Sequence, residues 1–167
     1  MLAKFDNDTK QFDQQNKPAL QLSEESEIYQ ALVVGLRDYV NRSGFKGVIV
    51  GLSGGIDSAL TLCIATDALG ADKVFAVMMP YQYTSQISLD DAEAQAKRLN
   101  VSYTVCPIHD AVAGLRSSLA PLFNDNKPDV TEENIQARAR GTILMALSNR
   151  FGHMIVNTSN KSECAVG

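Results

Sequence analysis

The sequence has no dense block of lysine and arginine, and its formal net charge is -4 at neutral pH. A nucleic-acid surface needs clustered positive charge to neutralise phosphates, so no nucleic-acid partner is expected. A small anionic ligand stays open, because backbone dipoles hold one without net positive charge. Long apolar runs are missing too. No stretch approaches the about 20 apolar residues that span a bilayer, and the polar N-terminus lacks the apolar core of a signal peptide. No membrane partner and a cytoplasmic location are therefore expected. Cysteine is scarce: Cys63, Cys106 and Cys164 are odd in number, widely spaced and form no CxxC pair. That excludes a disulfide framework and a cysteine zinc site, and leaves three reduced, mostly buried thiols. Neither an internal repeat nor a low-complexity tract is present.

What is present suffices for one domain with a core: 167 residues, 45% of them hydrophobic and 20% charged. Residues 1–22 are rich in Asn, Asp, Gln and Lys without a sustained apolar period, and read as a tail or linker. The domain then runs from 23 to 167. Ser23 before Glu24 and Glu25 starts a helix in which Ile28, Leu32, Leu36 and Val40 recur every fourth residue, until Gly44 stops it. Lys46 to Leu52, around Val48-Ile49-Val50, fits a strand buried on both faces. Helix Ala59 to Leu69, strand Val74 to Met79, helix Ser88 to Leu99 and strand Val101 to Cys106 follow. The alternation closes with helices from Asp110 to about Leu119 and from Thr131 to Arg150, and a strand from Met154 to Thr158. Pro80, Pro107, Pro121 and Pro128 fall between these elements, where a missing N–H costs little. Crossovers at this spacing are right-handed and build a parallel sheet covered by helices, so the expected fold class is α/β, doubly wound. The polar stretch Asn124 to Asp129 is the best candidate for a mobile loop.

The informative segment is Gly51-Leu52-Ser53-Gly54-Gly55-Ile56-Asp57-Ser58, a glycine-rich loop between the first strand of the alternation and the next helix. Such a loop points unpaired N–H groups at one spot, with the positive end of a helix dipole behind them. Gly54 and Gly55 let a ligand approach the backbone closely, and the Ser53 and Ser58 hydroxyls are able to donate to phosphate oxygens. The GxxxxGK phosphate loop is excluded because no Lys follows Gly55, and GxGxxG is excluded by the glycine spacing. Asp57 admits two readings. A carboxylate beside phosphates is repulsive unless a divalent cation lies between them, which makes Asp57 a Mg²⁺ ligand; alternatively it caps a helix starting at Ser58.

These residues carry a resemblance. Ser-Gly-Gly-Ile-Asp-Ser after a strand is similar to the SGGxDS signature of the N-type ATP pyrophosphatases, which include NAD, GMP, asparagine and argininosuccinate synthetases and tRNA-thiolating enzymes. The resemblance implies the Rossmann-like adenine nucleotide alpha hydrolase fold. It also implies cleavage of ATP between its α and β phosphates, with the loop holding pyrophosphate. Met79-Pro80-Tyr81-Gln82-Tyr83-Thr84-Ser85 is similar to the MPsrYtS segment of NAD synthetases, at a strand end where ligands bind in open sheets. Glu133-Asn134-Ile135-Gln136-Ala137-Arg138-Ala139-Arg140-Gly141 resembles the ENIQARxRG helix of the glutamine-dependent NAD synthetases. Asn157-Thr158-Ser159-Asn160-Lys161-Ser162-Glu163 resembles their NTxNKSE segment.

By that resemblance, Gly51 to Ser58 and Thr158 bind ATP, Asn134 contacts deamido-NAD, and Glu163 lies in a shared metal and deamido-NAD region; Arg138 is expected to join Asn134 there from the same helix face. On a helix Asn134, Arg138 and Gly141 share one face while Arg140 points elsewhere; the alternative for that face is a solvated basic surface. Glu163 follows a strand expected beside the first one, so its carboxylate could join Asp57 around Mg²⁺. The family further implies ammonia delivered by an upstream amidase domain, a synthetase homodimer, and continuation of the last motif as roughly GYxTLYGD. A fragment is expected on that ground, one that holds ATP without turnover. No acid or base residue is assigned, and His109 and His153 are read as structural. The competing readings are a GMP synthetase, a tRNA thiolase, which usually needs reactive cysteines or a basic surface, and a nucleotide-binding module without catalysis.

Overall fold

The computed structural model describes residues 5–6, 11–12, 22–123, 130–159 and 165. The chain divides into two compact units, 1–31 and 32–167. In the first, strands β1 (Phe5–Asp6) and β2 (Gln11–Phe12) pair antiparallel, Phe5 opposite Phe12, inside the stretch read as a tail. Helix α1 (Glu24–Arg42) starts where expected: the Ser26 N–H donates to Ser23 Oγ at 3.3 Å and the Glu27 N–H to Ser23 O at 3.0 Å, satisfying two first-turn donors.

The second unit is organised by one strand. β3 (Val48–Gly51) lies between β4 (Val74–Met78) and β6 (Met154–Val156), and β5 (Ser102–Val105) pairs with the outer edge of β4, all in parallel. The order β5-β4-β3-β6 follows from two crossovers leading outward, through α2 (Ile56–Leu69) and α3 (Gln86–Leu99). A longer return passes through α4 (His109–Leu119) and α5 (Val130–Phe151) to the other side of β3.

Alternate residues of the central strands feed two cores. Val48, Val50, Val74 and Ala76 pack with Val40, Leu62, Ala65, Ala92 and Ala96 from α1, α2 and α3. Ile49 and Val77 pack with Val112 of α4 and Ile135 and Ala139 of α5. Both faces of β3 are thus covered, which is why its sequence is an unbroken β-branched run. The α/β doubly wound reading holds. Element ends shift by a few residues: α2 begins at Ile56, not Ala59, and α3 at Gln86, not Ser88. β6 ends at Val156, not Thr158, because Asn157 Oδ1 accepts from the Ser159 N–H at 3.3 Å and turns the chain. Cys63 and Cys106 are free and half-buried.

At the far end of the sheet from the glycine loop, the Arg37 guanidinium of α1 donates to Ala68 O at 2.7 Å and Asp67 O at 2.9 Å. A cation on the last carbonyls of α2 satisfies acceptors that the helix leaves open and complements its dipole. Gly47, just before β3, has no room for a side chain: a Cβ would enter Lys73 O and come within 3.0 Å of the His153 ring.

His153 itself is half-buried, and its Nδ1 is buried without a partner among the described residues. Burial, then the Lys46 cation, hold its pKa below the ordinary imidazole value. The folded state therefore refuses a proton that the unfolded chain accepts, so this site favours folding above the ordinary value of about 6.5 and disfavours it as pH falls below. The melting temperature of wild type is expected to drop more between pH 7.5 and 5.5 than that of His153→Gln, as followed by circular dichroism; equal drops would show that this imidazole does not set the acid sensitivity.

Candidate functional site

The chain leaves β3 at its C-terminal end, beside the place where the strand order reverses between β3 and β6. Ligands of open α/β sheets bind at such a reversal. Leu52 is still held to the sheet, its N–H donating to Val77 O at 2.9 Å with the side chain buried. Ser53 to Gly55 then turn over the sheet edge and deliver the chain into α2.

The loop is braced from within. The Ser53 N–H donates to Ser58 Oγ at 3.2 Å, the Gly55 N–H to Ser53 Oγ at 3.2 Å, and Ser58 Oγ to Gly55 O at 2.9 Å, with the two hydroxyl oxygens 3.0 Å apart. Ser58 is the buried polar residue of the described core, at 2% exposure. Its hydroxyl, read from sequence as a phosphate donor, is in this arrangement committed to the loop itself. Gly55 is the N-cap of α2 and makes no side-chain cap. The N–H groups of Ile56, Asp57 and Ser58 consequently have no acceptor among the described residues. Three free donors and the positive end of a 14-residue helix converge there, which is the geometry of an anion site.

Asp57 lies in the first turn of α2, exposed, one place past the first helical residue. The capping alternative is removed, because Gly55 holds that position. The carboxylate has no hydrogen-bond or ion-pair partner among the described residues. An exposed hard oxygen beside an anion site fits a divalent cation.

Thr158 follows β6, which pairs with β3 through Val50 opposite Val156. Two residues on from that pair stand Leu52 and Thr158, so the topology brings the loop and the start of the NTxNKSE segment to one sheet edge. Glu163, Cys164 and the Asn124–Asp129 stretch lie outside the described residues.

Asn134 and Arg138 do meet on an exposed face of α5: Arg138 Nη1 donates to Asn134 Oδ1 at 3.0 Å and to Asn134 O at 3.4 Å. Sequence reasoning missed Arg140. It points away from that pair, as the helical spacing requires, but into the fold: its Nε donates to Met79 O at 3.2 Å, and burial pushes its pKa below the ordinary arginine value. Arg140 ties α5 to the first residue of the Met79–Ser85 segment. The signal was available in the second Arg of ENIQARARG, though what it reaches depends on the packing of α5. Nearby, Tyr81 makes an edge contact with Tyr83 and stacks on His109, with ring centroids 6.3 Å apart in both pairs.

The fold and this loop define a doubly wound α/β domain with the geometry of an anion site between a glycine loop and a helix N-terminus. The model of the NAD synthase family matches residues 28–167, and the chain belongs to that family. The glutamine-dependent NAD(+) synthetase of Acinetobacter baylyi is 58% identical over 165 residues, 99% of this chain and 30% of that protein. The structure of glutamine-dependent NAD+ synthetase from Acinetobacter baumannii in complex with adenosine diphosphate superposes with a TM-score of 0.91 at 57% identity, over 99% of this chain and 31% of that one. The NH3-dependent NAD synthetase of Campylobacter jejuni superposes with a TM-score of 0.76 at 31% identity, over 86% of this chain and 60% of that one. The chain thus spans about 30% of the length of the glutamine-dependent relatives it matches.

Three substitutions separate the parts of the site. Gly54 has φ +81° and presses on α3, where a Cβ would lie 2.8 Å from Ser88 Cα. Gly54→Ala is expected to destabilise the chain by more than about 1 kcal/mol in urea titrations, by forcing strain and a clash together. Arg140→Ala leaves Met79 O without its donor and is expected to cost about 1 kcal/mol or more, whereas Arg138→Ala on the exposed face stays within about 0.5 kcal/mol. Equal costs at the two arginines would refute the distinction drawn between them.

Proposed function

We propose that this chain carries the ATP site and part of the dinucleotide site of a glutamine-dependent NAD synthetase, which amidates deamido-NAD to NAD. The observation that carries this reading is the braced loop with three unpartnered N–H groups at the start of α2, set beside Thr158 at one sheet edge. The pyrophosphate of ATP suits it: a leaving group whose growing negative charge is met by donors already in place. Loop residues Gly51 to Ser58 and Thr158 bind ATP, Asn134 and Arg138 bind deamido-NAD, and Asp57 with Glu163 holds Mg²⁺. When bound, that cation would neutralise the phosphates beside Asp57. A relative determined with adenosine diphosphate supports a nucleotide here.

In the proposed reaction the nicotinate carboxylate of deamido-NAD attacks the α-phosphate of ATP, forming a mixed anhydride and releasing pyrophosphate. Ammonia then attacks the carbonyl, AMP leaves, and the amide of NAD remains with loss of a proton. Neither step asks this chain for a strong acid or base; placement of two anionic substrates and charge stabilisation dominate. The Arg138–Asn134 pair presents one guanidinium and one amide to a phosphate-bearing ligand. Ammonia comes from glutamine in an amidase domain of the whole protein, and the active assembly is a cytoplasmic homodimer or higher homo-oligomer. This chain by itself holds ATP without turnover.

Incubation of the chain, and of a version extended at its C-terminus, with ATP, Mg²⁺, ammonia and deamido-NAD is expected to yield NAD and AMP from the extended form. Adenylation of another acceptor with neither product would sink the assignment. Asp57→Asn is expected to lower the Mg²⁺-dependent part of ATP affinity by at least about tenfold, the loss that even an outer-sphere partner of a metal brings. An unchanged Mg²⁺ dependence would leave Asp57 as a carboxylate favouring the dipole of α2 and nothing more.

A further inference from the structure

The phosphate loop does not stand alone on the sheet edge. Gly54 rests directly on the first turn of α3, where a Cβ would lie 2.8 Å from Ser88 Cα and 2.9 Å from Ser88 C. The place of the Ser88 backbone is set by Ser85, the N-cap of α3. The Ser88 N–H donates to Ser85 Oγ at 3.1 Å, the two hydroxyl oxygens are 2.9 Å apart, and the Leu89 N–H donates to Ser85 O at 3.3 Å.

Ser85 is itself delivered by a closed turn. The Tyr81 N–H donates to Thr84 Oγ1 and the Thr84 N–H to Tyr81 O, both at 2.9 Å. Arg140 holds the near end of the same segment at Met79 O. Further along, Gln95 Nε2 ties α3 to α2 by donating to Ala59 O at 2.7 Å. The segment is thus anchored at Met79, closed at Thr84 and capped at Ser85, and it ends as the seat of Gly54.

We propose that Ser85 is a positioning residue for the phosphate loop: by capping α3 it holds the Ser88 backbone under Gly54 and so fixes the direction of the Ile56, Asp57 and Ser58 N–H groups. This rests on the reading of that loop as the ATP pyrophosphate site. Ser85 is exposed, and the contact it makes toward the loop runs through α3. Losing the cap frays the first turn of α3, and the loop loses the surface it rests on.

The test uses the 167-residue chain. Amide exchange by NMR without ligand is expected to quicken about fivefold in Ser85→Ala at the bonded loop amides Ser53, Gly55 and Ala59, the factor that matches a cap worth about 1 kcal/mol. The strand amide of Leu52 is expected to stay unchanged. Ser85→Asp, an equally good cap, restores wild-type exchange. The ATP dissociation constant in Mg²⁺ follows the same pattern, about fivefold weaker in Ser85→Ala and recovered in Ser85→Asp. Faster exchange confined to Ser88 and Leu89, with the loop amides unmoved, would overturn the proposal by showing a local cap only. Recovery of exchange but not of ATP affinity in Ser85→Asp would also overturn it, because a carboxylate that fails only against ATP marks direct contact with phosphate. Should wild type fail to bind ATP while the exchange pattern holds, the coupling of cap to loop stands and the ATP reading falls. If Ser85→Ala unfolds, Ser85→Gly, a milder loss, is read by the same criteria.

Discussion

Burial of β3 on both faces, between two parallel neighbours, is the constraint on which the rest depends. Val48, Ile49 and Val50 each have 0% exposure. A strand so enclosed can give its chain back to solvent only at its ends, and the helix that covers it must start near the C-terminal one. The glycine loop is the consequence. It turns the chain over the sheet edge within three residues and leaves the first donors of α2 facing outward. Because β6 returns to the opposite side of β3, a second segment, beginning at Thr158, ends at the same edge. The anion site thus comes from the topology before any charged side chain is considered.

The chemistry assigned to that edge is mostly backbone chemistry. The hydroxyls of Ser53 and Ser58 brace the loop, and Ser58 is buried in doing so. With the side chains so engaged, what the loop offers a ligand is its N–H groups and the dipole of α2. A preorganised set of donors costs no rearrangement when charge builds on a leaving group, which suits release of pyrophosphate. The formal charge of -4 is no obstacle to an anion at this loop, since the local field at the helix start decides the matter.

Much of the site was legible because its signals are local. The glycine loop, the helix after it and the four-residue spacing of Asn134 and Arg138 depend on near neighbours in the chain, and the structure has the two side chains bonded as the spacing implies. Three things were not legible. The N-cap of α2 falls to Gly55 and not to Asp57, since helix starts are set by which carbonyl the first N–H groups find. For Arg140 the helical spacing says only that it points away from the Asn134 and Arg138 face, and the packing of α5 is what brings it to Met79 O. The seating of Gly54 on Ser88 joins residues 34 positions apart and leaves no trace in either segment.

By itself, then, the sequence determined the class of fold, the order of its elements, the anion loop and the family, because periodicity, β-branched runs and glycine spacing act over a few residues. Tertiary structure decided which arginine supports the sheet edge, which hydroxyls serve the loop and what the loop rests upon. Those choices depend on contacts between elements far apart in the chain, and the side chain of a given residue type has the same sequence appearance whether it meets solvent, a carbonyl or a neighbouring helix.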